Sequence, residues 1–349
     1  MKIYKLLISM ILALSLGISA TGCGNASSAN AANTAEKKDT GAKDSAEEFT
    51  IRIGVNSLDN NFLLKILDNH TGFLKDKGIN LETTEFAAGI NTIDAITTDS
   101  VDIGLFATYA GVNRIGNTLG NSELRAFAMI DKTANYALYA NPDTVKKPED
   151  LVGHVGVSQS GVVFEYYYGE LFNQYGINPD DVTIANVSSV QEALALAANG
   201  GGDAYWTAAA NYSKFEEQGW KKVIGIDELG IYMYTFLVAN ESYLDSHKEE
   251  VARYLEVSEE GFAYINENLD EFADWVSADT GLDRDIFITD WKAKRHEYSF
   301  EQEAYDDLVK VKDWCYENGR FDTNYDISEY INTDALQLYK PESVSWSAN

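Results

Sequence analysis

The stretch FTIRIGVNSLDNNFLLKILDNHTGFLKDKGINLETTEF, residues 49–86, decides the fold. Its first seven residues alternate apolar and polar side chains as a β-strand does, and residues 79–86 form a second strand-like run. Between them, apolar residues from Phe62 to Leu74 recur at helical spacing, and Lys77-Gly78 is typical of a helix end. Strand, helix and strand in this order predict a parallel βαβ unit.

The alternation of strands and helices continues and then repeats. Residues 90–98 look helical and residues 101–106 look like a strand. The second set comprises a strand at 154–158, a helix at 162–175, a strand at 181–187, a helix at 190–198 and a strand at 202–206. Residues 92–105 and 193–206 have one shape: a short helix, a turn, an aspartate and a strand. Two copies of one unit predict an α/β protein of two similar lobes.

Two further strand-like segments predict how the lobes are joined. Residues 136–142 lie between the two sets, and residues 232–240 follow the second. After Asn240 the pattern is almost wholly helical, and these amphipathic helices need a partner, for which the first lobe is the natural choice. We therefore expect lobe I to comprise residues 49–139 and 238–349 and lobe II residues 140–237, connected by a two-strand hinge.

The N-terminal segment predicts export and anchoring. Lys2 and Lys5 precede a 15-residue apolar stretch, which is the layout of a secretory signal. The ending Ala20-Thr21-Gly22-Cys23 resembles the lipobox of bacterial lipoproteins, which implies cleavage before Cys23 and acylation of its sulfur. We predict a lipoprotein signal peptide at 1–22 and a disordered polar tether at 23–48. The predicted location is the extracytoplasmic face of the cell membrane, and an ordinary signal with an incidental cysteine remains an alternative.

Charge and composition exclude several classes of protein. The formal net charge of −28 argues against nucleic acid or an anionic bilayer as a partner of the folded body. It does not exclude a small anionic ligand, because local donors in a cleft can outweigh distant carboxylates. The four histidines show no metal-ligand spacing, and nucleotide-binding and nucleophile motifs are missing, so we predict no metal, no cofactor and no enzymatic activity. Cys315 is interpreted as a core residue.

Four segments carry a family resemblance. Residues 72–79 resemble a G-x-x-K-x-x-G-I helix end, and residues 101–104 a V-D-I-G strand. Residues 147–157 resemble a pattern written s-p-e-D-L-x-G-K-x-V, with His154 where lysine is usual, and residues 203–207 resemble D-A-w-x-x-w. Their order and spacing are similar to those of ABC-transporter substrate-binding proteins, in the branch that includes sulfonate, taurine, nitrate and thiamine-precursor binders.

This resemblance implies a fold and a function. The fold would be the type II periplasmic-binding-protein fold, with two α/β lobes that close on a small molecule and then dock onto the permease of a permease–ATPase importer. The first ligand class is a small organic anion such as a sulfonate, and the second is a heterocycle of the thiamine-precursor type. Two rival classes remain open: an enzyme of the pyrimidine-precursor or menaquinone-precursor type with this fold, and a surface adhesion or sensor module.

The candidate binding residues follow from the predicted strand ends. In α/β sheets ligands collect at the carboxyl ends of strands, where helix N-termini offer unpaired N–H groups. The segment Ser158–Val162 enters a helix in this way, and the resembled family binds anionic groups at this turn, although a plain helix cap is the alternative. The predicted ligand-binding residues are Asn56, Leu58, Gly89, Thr108, Tyr109, Ser158, Ser160, Gly161, Val162, Ser188, Trp206 and Tyr234.

Aromatic residues leave two interpretations open. Tyr109, Trp206 and Tyr234 are expected at the cleft, where stacking or a phenol hydrogen bond could select a ligand, but core packing would explain them as well. The run Tyr166-Tyr167-Tyr168 spans most of a helix circumference, so at least one of these rings is expected to face solvent or the cleft. Asp102 and Asp203 are interpreted as turn residues rather than ligand contacts.

Overall fold

Two five-stranded sheets organise the part of the chain that the structure describes. The structure is a computed structural model, and it describes residues 48–56, 58–86, 89–120, 123–159 and 161–348. The predicted signal peptide, Cys23 and the predicted tether up to residue 47 lie outside the described residues, as does Ser160. Within the described ranges, no helix combines the length and the apolar character needed to cross a bilayer.

The strands follow the order expected of two α/β lobes. They are β1 Phe49–Asn56, β2 Ile79–Phe86, β3 Ile103–Ala107, β4 Leu124–Thr133, β5 Tyr136–Ala140, β6 Val155–Gln159, β7 Thr183–Val187, β8 Ala204–Ala208, β9 Lys221–Gly225 and β10 Met233–Asn240. The first sheet has the order β2-β1-β3-β10-β4 and the second β7-β6-β8-β5-β9. In each sheet the pairs among the first three strands are parallel, whereas β10 and β5 run antiparallel to their neighbours. The predicted fold class is confirmed.

The helices of the described residues surround these sheets. They are α1 Asn60–Thr71, α2 Gly89–Thr97, α3 Thr108–Asn117, α4 Phe164–Tyr175, α5 Val190–Ala198, α6 Tyr212–Glu217, α7 Glu241–Ser246, α8 Lys248–Glu267, α9 Leu269–Thr280, α10 Arg284–Lys292, α11 Gln302–Glu317 and α12 Asp334–Tyr339. Helix α1 ends at Gly72, whose φ of 72° is left-handed, and not at Gly78 as the sequence pattern suggested. A short 3₁₀ turn occupies Lys75–Lys77 instead.

Strand pairing moves the points at which the chain crosses between the sheets. We expected the crossings near residues 140 and 238, but β5 pairs with β8 and β9 in the second sheet, while β10 pairs with β3 and β4 in the first. The chain therefore crosses between residues 133 and 136 and returns between 225 and 233. From here, lobe I denotes β1–β4, β10, α1–α3 and α7–α12, and lobe II denotes β5–β9 and α4–α6.

The two duplicated aspartates hold equivalent strand pairs together. Asp102 Oδ2 accepts the backbone N–H of Arg52 at 2.9 Å, and Asp203 Oδ2 accepts the backbone N–H of Val155 at 2.9 Å. His154, which stands where the family pattern has lysine, places Nδ1 at 3.4 Å from the same Asp203 oxygen. Each carboxylate joins the start of its strand to the neighbouring parallel strand, which is a structural role.

All three tyrosines of α4 are buried, which contradicts the expectation that at least one faces solvent or the cleft. Tyr166, Tyr167 and Tyr168 are each at most 2% exposed. Tyr168 donates from its hydroxyl to backbone oxygens of the second sheet, whereas the Tyr166 ring packs edge-on against Trp314 of α11, with ring centroids 5.5 Å apart. Helix α4 thus lies between the second sheet and α11. Helix α11 of lobe I covers the side of α4 that carries Tyr166, which would otherwise face solvent.

Candidate functional site

A cavity of about 660 Å³ lies at the carboxyl ends of β1 and β3, between the two lobes. Lobe I supplies most of its wall, and lobe II supplies Tyr136 and the turn that precedes α4. The lining residues are Asn56, Leu58, Asp59, Asn60, Gly89, Ile90, Leu105, Ala107, Tyr109, Ala110, Asn113, Arg114, Asn117, Ile130, Asp131, Tyr136, Gly161, Val162, Val163, Met233, Thr235, Lys294 and Arg295. The position at the strand ends is where α/β sheets collect ligands.

The turn between β1 and α1 shapes one wall of the cavity. Leu58 has a φ of 67°, a left-handed conformation that is uncommon for a residue with a side chain and that often marks functional sites. Asp59 then caps α1: its carboxylate accepts the N–H groups of Asn56 at 2.7 Å and Phe62 at 2.8 Å. These bonds hold Asn56, Leu58 and Asp59 at the cavity.

The N-termini of α2 and α3 form the adjoining wall. Gly89 begins α2 where a Cβ atom would clash with the Leu105 side chain, so glycine allows the helix to start directly against β3. Tyr109 lies in the first turn of α3 and donates its hydroxyl hydrogen to Glu165 Oε2 across the cleft at 3.2 Å. This hydrogen bond links lobe I to α4 of lobe II.

Glu165 occupies the helix N-terminus that the sequence marked as an anion site. Gly161, with a φ of 75°, donates its N–H to Glu165 Oε1 at 3.0 Å. Glu165 Oε2 also pairs with Arg320 at 2.7 Å. The chain's own carboxylate thus takes the backbone donor at the turn before α4 on which an external anion would depend.

Each cationic side chain at the cavity has a carboxylate partner in the chain. Lys294 Nζ lies 2.6 Å from Asp290, and Arg114 pairs with Asp94. Arg295 bonds two carboxylates, those of Glu297 at 2.6 Å and Glu301 at 2.9 Å. Within the described ranges, no group of three His, Cys, Asp or Glu side chains is placed to hold a metal ion.

Two carboxylates, those of Asp59 and Asp131, line the cavity, and burial raises the pKa of both. Burial raises the pKa of Asp59 to about 6, against the effect of the backbone N–H groups that it accepts. Burial also raises the pKa of Asp131, while the nearby Lys294 acts in the opposite direction. Among the described residues, no side chain donates a hydrogen bond to Asp131 and no ion pair includes it. Asp131 differs from Asp59 in that it does not cap a helix, and no side chain of the described residues pairs with its charge.

Six of the predicted binding residues line the cavity, and five described ones do not. Those that line it are Asn56, Leu58, Gly89, Tyr109, Gly161 and Val162. Thr108 is instead buried and donates its hydroxyl hydrogen to Asp307 at 2.8 Å. Ser188 is exposed and bonds Glu192 at 2.8 Å as part of the cap of α5. The strand-end rule located the lobe I wall, but it does not distinguish a residue at the cavity from its neighbour in the core.

The other three predicted residues lie in the protein interior. Trp206 is fully buried, with its ring centroid 5.4 Å from that of Tyr167, so core packing explains this residue. Tyr234 is 3% exposed and lies beside Glu303. Ser158 is fully buried on β6. Helix α4 covers Trp206 of lobe II through Tyr167, whereas Tyr234 belongs to β10 of lobe I, and none of the three lines the cavity.

Sequence reasoning missed the charged residues that distant segments bring to the cavity. Asp131 lies on β4, which was not predicted, and Lys294 and Arg295 follow α10. One sequence signal could have pointed to Asp131: it directly follows the apolar run Ala126–Ile130, as a polar residue at the end of a buried strand does. No local pattern marks Lys294 or Arg295.

Replacing Ser158 with alanine tests whether its hydroxyl serves the fold. Within the described residues, Ser158 Oγ is buried without a hydrogen-bond partner, and such a group costs about 1–3 kcal/mol. We therefore expect Ser158→Ala to leave the free energy of unfolding unchanged or to raise it by about 1 kcal/mol. Urea unfolding followed by circular dichroism measures this change. A loss of stability of more than about 1 kcal/mol would show that the hydroxyl has a partner in the folded protein.

Comparison with known proteins identifies the family. The sequence profile described as NMT1/THI5 like matches residues 59–271. The chain belongs to the NMT1/THI5-like family. Sequence comparison of this family member with curated proteins finds no match.

Solved structures share the fold of this NMT1/THI5-like chain at low sequence identity. The periplasmic aliphatic sulphonate-binding protein SsuA of Escherichia coli is 18% identical, with a TM-score of 0.70 over 81% of this chain and 92% of that one. The alkanesulfonate-binding SsuA of Xanthomonas axonopodis pv. citri, bound to MOPS, is 14% identical, with a TM-score of 0.65 over 82% and 99%. The desulfurization enzyme DszB is 12% identical, with a TM-score of 0.63 over 84% and 99%. The fold is that of periplasmic binding proteins.

Proposed function

We propose that this NMT1/THI5-like protein is a solute receptor that holds a small molecule between its lobes and delivers it to an ABC importer. The observation that carries the proposal is the cavity whose wall comes from both lobes, at the strand ends of an α/β fold. The partners would be the permease and ATPase subunits of the importer. Acylated Cys23 would anchor the protein on the extracytoplasmic face of the membrane.

The two chain crossings give this receptor a mechanism. Because the lobes are joined at residues 133–136 and 225–233, they can rotate as bodies about these segments. A ligand that contacts both Tyr109 of lobe I and Val162 of lobe II binds the closed arrangement better than the open one. Only this difference in affinity shifts the population toward closure, which is the state that a permease would recognise.

The charges of the site bear on the ligand class. A sulfonate-like anion would meet Glu165 at the turn before α4 and two further carboxylates, Asp59 and Asp131, in the cavity. A nitrogen heterocycle of the thiamine-precursor type carries N–H donors, for which these carboxylates and the amide oxygens of Asn56 and Asn60 are acceptors. The cavity cations are already paired with carboxylates of the chain, so the site supports a nitrogen heterocycle over a sulfonate-like anion as the ligand.

An enzyme is the second candidate, because DszB shares the fold. The thiol nearest the cavity wall is Cys315, which accepts a hydrogen bond from Asn113 Nδ2 at 3.4 Å. It is fully buried, and burial raises the pKa of the Cys315 thiol to about 12. A thiol of this kind is a poor nucleophile at neutral pH, since the thiolate is the reactive form. This environment supports the receptor over a thiol-dependent enzyme.

A thermal-shift screen of small solutes tests the receptor function. A ligand that binds only the folded protein stabilises it by about 2.7 kcal/mol at 100 times its Kd, so the midpoint of thermal unfolding should rise by several degrees. The compound that gives the shift should be recovered unchanged after incubation, as mass spectrometry can show. Turnover of that compound would contradict the receptor function and favour the enzyme.

A further inference from the structure

We propose that Asp131 is the residue that selects the ligand, and that the ligand presents a positively charged nitrogen group to it. This inference rests on the proposed receptor function and names the ligand class that the cavity takes. An amine or an amidine-type group would satisfy the carboxylate by charge-assisted hydrogen bonds.

The charge pairing around the cavity supports this ligand class. The cations Arg114, Lys294 and Arg295 are each held by carboxylates of the chain. Asp59 accepts two backbone N–H groups as the cap of α1. For Asp131, the Lys294 charge and the backbone N–H of Lys132 help to stabilise the ionised form, but no side chain of the described residues donates a hydrogen bond to its carboxylate or forms an ion pair with it. Asp131 is partly buried, and a charge that is removed from water without a partner is costly, so a cationic ligand group gains from pairing with it.

An irregularity in strand pairing aims Asp131 at the cavity. In the β4–β10 ladder Asp131 is opposite Thr235, whereas Met129 is opposite Phe236, so Ile130 is an extra residue. A bulge of this kind breaks the strict alternation of side chains and re-aims them, and bulges are frequent beside functional sites. Ile130 and Asp131 accordingly both line the cavity, as does Thr235 on the facing strand.

Two further groups determine what Asp131 can bind. The Lys294 charge acts on Asp131, but its Nζ atom lies 2.6 Å from Asp290 Oδ2, so Lys294 and Asp290 form an ion pair of their own. Tyr109 and Tyr136 also line the cavity, and aromatic rings attract organic cations. The overall charge of −28 favours the approach of cations as well.

The test compares probes that share a skeleton and differ in charge. The full chain, purified in detergent, is titrated by calorimetry with benzamidine, benzamide and benzenesulfonate, and with butylammonium, butyramide and butanesulfonate. We expect the two cations to bind more tightly than their neutral and anionic counterparts. Asp131→Asn should weaken binding of the cations at least tenfold, and Asp131→Glu should retain most of it.

Asp143→Asn is the matched control, because it removes the same charge from an exposed site outside the cavity. It should bind the cationic probes as the wild type does. Urea unfolding of Asp131→Asn checks that the variant is folded. Equal binding of the cations by Asp131→Asn, tighter binding of the sulfonates, or no binding of either cation would each overturn the inference. Tight sulfonate binding would leave the receptor function standing, whereas turnover of a bound solute would contradict the receptor function itself.

Discussion

Replacing Gly104 with valine is expected to lower the free energy of unfolding by about 3–5 kcal/mol. Gly104 lies on β3 directly beneath α2, where a Cβ atom would approach Thr92 Cβ to 2.8 Å and clash with Thr92 Oγ1. The Thr92 hydroxyl accepts the N–H of Leu105 at 2.8 Å and donates to Gly89 O at 2.6 Å. A larger side chain therefore overpacks the core and also breaks the bonds that hold α2 on the sheet. Urea unfolding measures the loss.

Gly225→Val provides the matched control for this substitution. Gly225 also lies in a strand, but a Cβ atom there would meet the ends of two flexible side chains, Asp227 and Lys222, which can move away. We expect this variant to lose about 1 kcal/mol or less. If Gly104→Val were as stable as Gly225→Val, the close approach of α2 to β3 would be disproved.

Replacing Asp307 with asparagine should stabilise the protein at alkaline pH. Burial raises the pKa of Asp307 to about 7, from an ordinary value of 3.8, although the Thr108 hydroxyl donates to it. A raised pKa means that the folded state binds the proton more tightly, so the ionised carboxylate destabilises the fold above pH 7 and this cost declines as pH falls toward 4. Asparagine keeps an acceptor for Thr108 and carries no charge. The gain in stability should be about 2 kcal/mol larger at pH 8 than at pH 5.

Asp306→Asn serves as the control, because Asp306 is the exposed neighbour on the same helix and bonds Gln302 at 2.9 Å. Its effect on the free energy of unfolding should be small and nearly the same at the two pH values. Thermal and urea unfolding in matched buffers would measure both variants. A gain for Asp307→Asn that does not grow with pH would contradict a buried, ionisable Asp307.

Local sequence patterns predicted those strands and helices that bury only one face, because apolar and polar side chains then recur at a fixed period. The bounds of β2 and α5 agree with the prediction to the residue, because Ile79 begins an alternating run and Ser189 caps the helix. Strand β4 was missed because its apolar run is continuous rather than alternating. Such a run is typical of a strand covered on both faces, and it cannot be told from a buried helix by its period.

The sequence predicted the cavity-lining residues that follow the ends of parallel strands, but not the residues that reach the cavity through contacts between distant segments. Asn56 and Gly89 line the cavity because the carboxyl ends of β1 and β2 lie at one edge of the sheet. Trp206 lies in the middle of β8, and Tyr167 of α4 covers it, which is a contact between separate segments that no local pattern indicates. Asp131 reaches the cavity through a bulge in strand pairing, which no local pattern indicates.

The charged contacts between α4 and lobe I make the contact between the lobes sensitive to dissolved salt. Glu170 pairs with Lys310 at 2.6 Å and Glu165 with Arg320 at 2.7 Å, and both cations are 40–51% exposed. Dissolved salt weakens such contacts, since its screening length falls from about 10 Å at 0.1 M to about 3 Å at 1 M. Under the proposed receptor function, the empty lobes would part more readily in brine, and binding would require a higher solute concentration. In fresh water the proposed receptor would bind at lower solute concentrations, although none of the residues that line its cavity would have changed.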